Sequence, residues 1–118
     1  MTENTQKLGR LKKRSEFLFV ANRNGKSLYA AKPNVVVQMR QHPTRERGIS
    51  CGFTATKKIG NAVVRNRAKR RLRECANAYL PTLGRDAYDY VFIARLATAG
   101  ADWDTLCKDV EKALLRLQ

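Results

Sequence analysis

The sequence predicts an α+β fold, in which helices cover a small mixed β-sheet of about four strands. Three observations support this. Val35, Val36 and Val37 lie in a β-prone stretch. Residues 49–56 alternate between apolar and small polar side chains. From Asn61 onwards, apolar residues recur at the helical period of 3.6. In chain order the elements are predicted as α-β-β-β-α-β-α.

Length and composition favour a single domain over residues 1–118. The chain has 118 residues, 43% of them hydrophobic, which is enough to bury a core. It shows no repeat and no linker rich in Pro, Gly or Ser. Residues 1–9 are expected to be flexible. No apolar run approaches the roughly 20 residues of a membrane span, and no secretory signal precedes Phe17, so we expect no membrane partner and a cytoplasmic location.

The first element is predicted to be a short helix. Ser15 can cap a helix that runs from Glu16 to Ala21, with Asn24 and Gly25 as its stop signals. Residues 27–39 are predicted to be extended and interrupted near Pro33, which leaves one hairpin or two short strands open.

Residues 49–56 are predicted to form a half-buried strand, because their side chains alternate in character. A long helix follows, in which Gly60 turns the chain, Asn61 caps the first turn, and Pro81 and Gly84 end the helix. Its predicted buried stripe has one residue per turn: Val64, Ala68, Leu72, Cys75 and Tyr79.

The last strand and helix are predicted from a continuous apolar run and a capped amphipathic segment. The run from Tyr88 to Ala94 is typical of a strand that is buried on both faces. The final helix begins at Asp102, and its predicted buried residues are Trp103, Leu106, Cys107, Val110, Leu114 and Leu117.

Positive charge is concentrated in one part of the chain. The sequence has 24 Lys and Arg against 10 Asp and Glu, a net charge of +14. The segment from Lys57 to Arg73 contains eight of these basic residues and no acid. Such a density repels itself, and a polyanion is the usual compensating partner. Nucleic acid is therefore the leading candidate ligand.

The long helix places its cations outside the buried stripe. Arg65, Lys69 and Arg73 form a row along one side, and Arg67, Arg70 and Arg71 cover the other flank. Guanidinium groups bind phosphate oxygens with two parallel hydrogen bonds, which favours phosphate recognition. The alternative is a face made basic for solubility alone, but ordinary solvated faces mix both signs.

Aromatic residues lie beside cations near the N-terminus. Phe17 and Phe19 follow Lys12, Lys13 and Arg14. Such aromatic rings can stack on unpaired bases. Residues two apart on a helix point in different directions, so we expect one ring to be free and the other to belong to the core.

The sequence lacks the usual residue sets for protein-catalysed hydrolysis. It has no carboxylate cluster in its basic half, no pair of histidines, and no glycine-rich phosphate loop. Cys51, Cys75 and Cys107 have no metal-binding spacing and are expected to be small buried residues. His42 is expected to be a solvated loop residue. We therefore predict no catalytic residue, no metal ligand and no cofactor bound by the protein itself.

The stretch FTATKKIGNAVVRNRAKRRLRE, residues 53–74, closely resembles the signature of the bacterial ribonuclease P protein component. Its hallmark is the Arg-Asn-Arg core, here Arg65, Asn66 and Arg67. RLKKRSEF at 10–17 resembles the family's first helix, and DYVFIAR at 89–95 its last strand. The resemblance implies a protein that joins a catalytic RNA and assists Mg²⁺-dependent removal of the 5′ leader from precursor tRNA. It also implies that the RNA does the cutting, with Mg²⁺, and that one protein binds per RNA.

The resemblance carries over to particular residues. Together with the helix geometry, it assigns contact with the catalytic RNA to Lys57, Lys58, Asn61, Arg65, Asn66, Arg67, Lys69, Arg70, Arg71 and Arg73. A cleft between the first helix and the sheet is implied for the single-stranded leader, with Lys13, Arg14, Phe17, Phe19 and Thr56 as candidates. Where the family often carries a second aromatic residue, this chain has Ala21, and Phe19 is a possible substitute.

The resemblance also implies a left-handed β-α-β crossover, in a fold similar to the second domain of a ribosomal protein. General rules favour a right-handed crossover, and we adopt the family's handedness. Two other functions remain open. One is a structured-RNA-binding protein of ribosomal type without an enzyme attached. The other is an independent protein nuclease, against which the missing catalytic residues argue.

Overall fold

The computed structural model describes residues 8–22 and 26–118. In these ranges, one five-stranded sheet carries three α-helices, which confirms the predicted α+β fold and adds a fifth strand. The elements are β1 (Gly9–Arg10), α1 (Arg14–Ala21), β2 (Leu28–Lys32), β3 (Val35–Gln41), β4 (Ile49–Thr54), α2 (Ala62–Leu83), β5 (Tyr88–Ala94) and α3 (Trp103–Arg116), with short 3₁₀ turns at Lys57–Ile59 and Thr98–Gly100.

The sheet has the strand order β1-β4-β5-β3-β2. β4 and β5 are parallel neighbours joined through α2, as a β-α-β crossover requires. The handedness of that crossover stays a prediction. β2 and β3 form a hairpin, which is one of the two alternatives left open for residues 27–39, and β3 pairs antiparallel with β5. β1 pairs only with Ser50 and Cys51, so the edge of β4 from Gly52 to Thr54 extends beyond it.

The two faces of the sheet are covered by different helices. α2 and α3 cover one face with the larger apolar core, which includes Leu72, Leu80, Phe92 and Leu114. α1 covers part of the other face with a small cluster centred on Leu11, Val20 and Val91. α1 therefore lies above a sheet whose remaining surface on that side is open to a ligand. In the described ranges, no helix has both the length and the apolar composition that crossing a bilayer requires.

The first helix begins earlier than predicted. Lys13, not Ser15, is its N-cap residue. The Glu16 carboxylate accepts hydrogen bonds from the backbone N–H groups of Lys12 and Lys13, at 2.7 and 2.8 Å. The carboxylate thereby satisfies the N–H of the N-cap residue and of the residue before it. The predicted stop at Asn24 and Gly25 lies outside the described residues. Gly9 lies in β1, so the sheet starts inside the segment that we expected to be flexible.

The long helix has the predicted start, continues through Pro81, where an end was predicted, and ends at Gly84 as predicted. It continues beyond Pro81 to Leu83, and the Gly84 N–H donates to the Leu80 carbonyl at 2.8 Å. Pro81 removes one N–H, whose partner in a regular helix is the carbonyl of Asn77. Asn77 is exposed, so water can satisfy that carbonyl.

The buried stripes are mostly as predicted. On α2, Ala68, Leu72 and Cys75 are fully buried, whereas Val64 and Tyr79 are only half-buried. On α3, Trp103 was predicted to be buried and is 40% exposed. It lies at the first turn of the helix, past the edge of the core, with the Arg71 guanidinium 5.6 Å from its ring centroid.

Candidate nucleic-acid interface

The N-terminus of α2 is fixed by a glycine turn and an Asn cap. Gly60 has φ +148°, and a Cβ atom there would lie 2.9 Å from Val64. The Asn61 Oδ1 accepts a hydrogen bond from the Val64 N–H at 3.0 Å, and the Gly60 carbonyl accepts one from Arg65 at 3.2 Å. The side chain of Asn61, a predicted RNA contact, thus already caps the helix. It orients the residues that follow.

The exposed side of α2 is cationic, as the helical period predicts. Asn66, Arg67 and Arg70 are exposed there, and Lys57 and Lys58 extend the surface from the preceding 3₁₀ turn. We call these five residues the α2 face. Between Lys57 and Arg73 the sequence has no carboxylate to neutralise it. The face therefore presents N–H donors to solvent with few competing acceptors of its own.

Arg71 departs from this arrangement. Its guanidinium donates hydrogen bonds to the carbonyls of Thr98, Ala99 and Ala101, at 2.7, 2.8 and 2.5 Å. It also lies over the Trp103 ring. Helix geometry placed Arg71 on the cationic flank, but its donors are used to hold the loop between β5 and α3. We therefore remove Arg71 from the candidate RNA contacts and assign it a structural role.

A cleft lies at the open edge of β4, between α1 and α2. Its volume is about 410 Å³. We call it the Phe17 cleft, and its lining residues are Arg10, Leu11, Lys12, Phe17, Cys51, Gly52, Phe53, Lys69 and Arg73. An adjoining hollow of about 390 Å³ shares Phe17, Phe53 and Lys69 and adds Arg14 and Leu18. Four of the cleft's nine lining residues are Lys or Arg, and none is acidic.

Phe17 rests against the sheet because position 52 has no side chain. A Cβ atom on Gly52 would lie 2.5 Å from two carbons of the Phe17 ring. Gly52 therefore lets the ring approach the strand closely. The ring is half-buried, so part of its surface still lines the cleft. An unpaired base that enters the cleft can therefore contact the ring.

Phe53 and Arg73 also line the cleft. The Phe53 ring stacks on Phe92 with centroids 5.5 Å apart, and the Arg73 Cζ lies 5.4 Å from the Phe53 centroid. The Arg73 Nε is buried without a hydrogen-bond partner. Sequence reasoning assigned Phe53 to the buried side of a strand and missed its place in the cleft. It noted Lys12 beside the aromatic residues but assigned neither Arg10 nor Lys12 to the cleft, because nothing in the sequence indicated the short β1 pairing that brings them there.

Three predicted cleft residues lie elsewhere. Phe19 is on the other flank of α1, where the Arg40 Cζ is 3.9 Å from its ring centroid, so it does not substitute for an aromatic residue at Ala21. Lys13 is exposed at the start of α1, and Lys12 lines the cleft in its place. Thr56 is exposed at the 3₁₀ turn, beyond Thr54 and Ala55 of the adjoining hollow.

The cysteines behave as small core residues. Burial raises the pKa of Cys51 to about 11 and that of Cys75 to about 12. Cys51 lines the cleft, but its thiol is protonated at neutral pH and therefore a poor nucleophile. Among the described residues, no three His, Cys, Asp or Glu side chains come together in a group that could hold a metal ion. The cleft thus offers cations and aromatic rings, which are binding groups.

Comparisons with known proteins show which family this chain belongs to. The model of the ribonuclease P family matches residues 5–118. The chain belongs to the ribonuclease P protein family. A protein component from Caulobacter vibrioides is 49% identical over 113 residues, covering 96% of this chain and 73% of the relative. One from Ruegeria pomeroyi is 47% identical, covering 91% and 84%.

Solved structures of the family have the same fold. The ribonuclease P protein of Staphylococcus aureus superimposes with a TM-score of 0.76 at 26% identity, covering 92% of this chain and 94% of that one. The Thermotoga maritima protein gives a TM-score of 0.75 at 23% identity, with 92% and 97% covered. Members of this family are protein components of a tRNA-processing endoribonuclease that also contains an RNA subunit. This confirms the family and the fold that residues 53–74 suggested.

Proposed function

We propose that this protein binds the catalytic RNA of ribonuclease P through the α2 face and the 5′ leader of precursor tRNA through the Phe17 cleft. The observation that carries the proposal is the row Arg65, Lys69 and Arg73. Lys69 and Arg73 line the cleft, while Arg67 and Arg70 on the same helix point to the exposed side. One helix therefore presents cations to two RNA surfaces at once.

The cleft fits a single strand better than a duplex. The half-buried Phe17 ring can contact an unpaired base, Phe53 lines the same cleft between Phe92 and Arg73, and the cations of the cleft can follow a backbone. The α2 face lacks such rings and offers mainly guanidinium and ammonium groups, which suit the phosphates of a folded RNA. In this proposal the RNA subunit performs the hydrolysis with Mg²⁺, one protein serves one RNA, and the complex works in the cytoplasm.

The test is reconstitution with the catalytic RNA and precursor tRNA at low Mg²⁺. The native protein should stimulate cleavage, and Arg67→Ala should bind the RNA more weakly. Arg67 is the better target than Arg65, because Arg65 also donates to the Gly60 carbonyl and its loss would disturb the helix start. Lys112→Ala, an exposed change on α3, is the control of equal charge.

Three results would contradict the proposal. Unchanged affinity of Arg67→Ala at moderate salt would remove the α2 face from the interface. Tight RNA binding without any stimulation of cleavage would favour the alternative, a structured-RNA-binding protein of ribosomal type. Cleavage of precursor tRNA by the protein alone would overturn the assignment of chemistry to the RNA.

A further inference from the structure

A second hollow lies on the opposite flank of α1 from the Phe17 cleft. Its volume is about 330 Å³. We call it the Arg40 hollow, and it is lined by Phe19, Lys26, Arg40, Gln41, His42 and Pro43. It shares no lining residue with the Phe17 cleft, which is built from the edge of β4 and from α2. The last turn of α1 and the end of β3 form it instead.

Arg40 is held rigidly in this hollow. One guanidinium nitrogen donates to the Phe19 carbonyl at 3.0 Å, and Cζ lies 3.9 Å from the centroid of the Phe19 ring. Asp89 is its register partner on β5, but the Asp89 carboxylate forms an ion pair with Arg45 at 2.9 Å. In the part of the chain that the structure describes, no carboxylate pairs with Arg40. A fixed guanidinium with spare N–H donors is suited to an anion.

His42 adds a donor of defined direction. Its Nδ1 accepts hydrogen bonds from the backbone N–H groups of Thr44 and Arg45, at 3.2 and 2.9 Å. In the neutral ring the proton is therefore on Nε2, which can donate. Lys26 contributes an exposed ammonium group at the same hollow. Three different cationic or N–H donors line the hollow, and no acidic residue does.

We propose that the Arg40 hollow binds a phosphate group of an RNA backbone, as a third contact separate from the α2 face and the Phe17 cleft. The identity of the ligand as RNA rests on the proposed function. The phosphate can belong to the catalytic RNA or to the leader of precursor tRNA, since both present the same group. The fixed Arg40 fork, the Nε2–H of His42 and the ammonium of Lys26 would surround it.

The experiment measures the salt dependence of RNA binding for the native protein, for Lys26→Gln/Arg40→Gln, and for Lys108→Gln/Lys112→Gln. The last variant removes the same two charges at exposed positions on α3 and is the matched control. Each protein is titrated into the catalytic RNA alone. Each assembled complex is then titrated with mature tRNA and with precursor tRNA carrying a leader.

Loss of one phosphate contact should reduce the slope of log affinity against log salt by about 0.7 to 0.9 relative to the control. The variant's deficit in affinity should therefore shrink about threefold between 50 and 200 mM salt. A reduced slope with the catalytic RNA identifies that RNA as the source. A reduced slope only with leader-bearing tRNA identifies the leader.

A second measurement does not depend on the folding of the Arg40 variant. His42 is the single histidine in the sequence, so its Hε1 ring proton gives one assignable NMR signal. In the native protein this signal should shift when a short single-stranded RNA or the catalytic RNA is added, and Lys26→Gln alone should weaken the shift. Slopes equal to the control in every arm, together with an unmoved His42 signal, would overturn the inference. Because Arg67→Ala tests the α2 face, the proposed function could still stand.

Discussion

The guanidinium of Arg73 lies over the ring of Phe53, with 5.4 Å between its Cζ atom and the ring centroid. This contact joins the cationic helix α2 to the aromatic wall of the Phe17 cleft. The ring holds the guanidinium over the edge of β4, and the buried Nε lacks a partner. A phosphate or base entering the cleft therefore meets a cation that is already oriented.

Phe17→Ala should separate the two RNA contacts. The ring lines the Phe17 cleft and is not part of the α2 face, so we expect affinity for the catalytic RNA to stay near the native value. The loss of one base-stacking platform should weaken binding of leader-bearing tRNA by about 1 to 3 kcal/mol, with little effect on mature tRNA. Equilibrium binding of both tRNAs to the assembled complex checks this, with Leu115→Ala, exposed on α3, as control. Equal weakening of both tRNAs would remove Phe17 from leader recognition.

Gly52→Ala should impair recognition of the leader as well, without removing a positive charge from the cleft. The new methyl group would lie 2.5 Å from the Phe17 ring, so the ring must move away from the sheet. We expect a loss of leader discrimination in the same direction as for Phe17→Ala, measured with the same pair of tRNAs. Gly100→Ala introduces its methyl into open space and is the matched control. Native discrimination in Gly52→Ala would show that the ring position does not matter.

Arg71→Ala and Arg70→Ala should affect different properties, stability and RNA binding respectively, although the two residues are sequence neighbours. Arg71 donates three hydrogen bonds to loop carbonyls, so its loss should lower the free energy of unfolding by about 2 kcal/mol. Arg70 is exposed, and its loss should leave unfolding nearly unchanged while reducing the salt slope of RNA binding by about 0.7 to 0.9. Urea unfolding and salt titration of both variants check the pair. A stable Arg71→Ala that binds RNA poorly would reverse our assignment.

Glu16 should make stability depend on pH. Hydrogen bonds from the Lys13 and Lys12 backbone N–H groups lower the pKa of Glu16 from its ordinary value of 4.5. The stabilisation is therefore complete above about pH 4.5 and is lost as the pH falls through the lowered folded pKa. Native protein and Glu16→Gln should differ in free energy of unfolding at pH 6 and converge at low pH. A difference that does not change with pH would contradict the role of the charge.

Local sequence signals predicted the elements that depend on local physics. The Asn61 cap and the apolar period from Ala68 to Cys75 fixed α2 in the right place, because capping and burial act within a few turns. The β-branched residues after Pro33 predicted an extended segment, but the sequence left open whether it forms one hairpin or two short strands, and the pairing of β2 with β3 decides this. The lack of acids between Lys57 and Arg73 indicated a polyanion partner without any knowledge of tertiary structure.

Features that depend on distant partners could not be predicted in this way. β1 exists because Gly9 and Arg10 pair with residues some forty positions later, and two residues carry no pattern of their own. The role of Arg71 depends on where the loop after β5 passes, and the position of Phe19 depends on Arg40. Phe53 lies on the apolar side of the alternating strand β4, as a buried residue would. However, α2 does not cover that end of the strand, and the extent of the cover depends on how the helix packs, which the sequence pattern does not show.

β5 pairs with β4 on one side and with β3 on the other, so it connects the two parts of the sheet. It is also the last strand in the sequence. During synthesis, the hairpin and β4 emerge with no shared neighbour, and the arginine-rich helix emerges before the surface that buries its apolar side is complete. Closing the sheet therefore requires contacts between residues far apart in the chain, which are slow to form. A newly made chain therefore passes through a stage in which its most basic segment is not yet anchored, and products that end before residue 88 lack the strand that connects β4 to the hairpin.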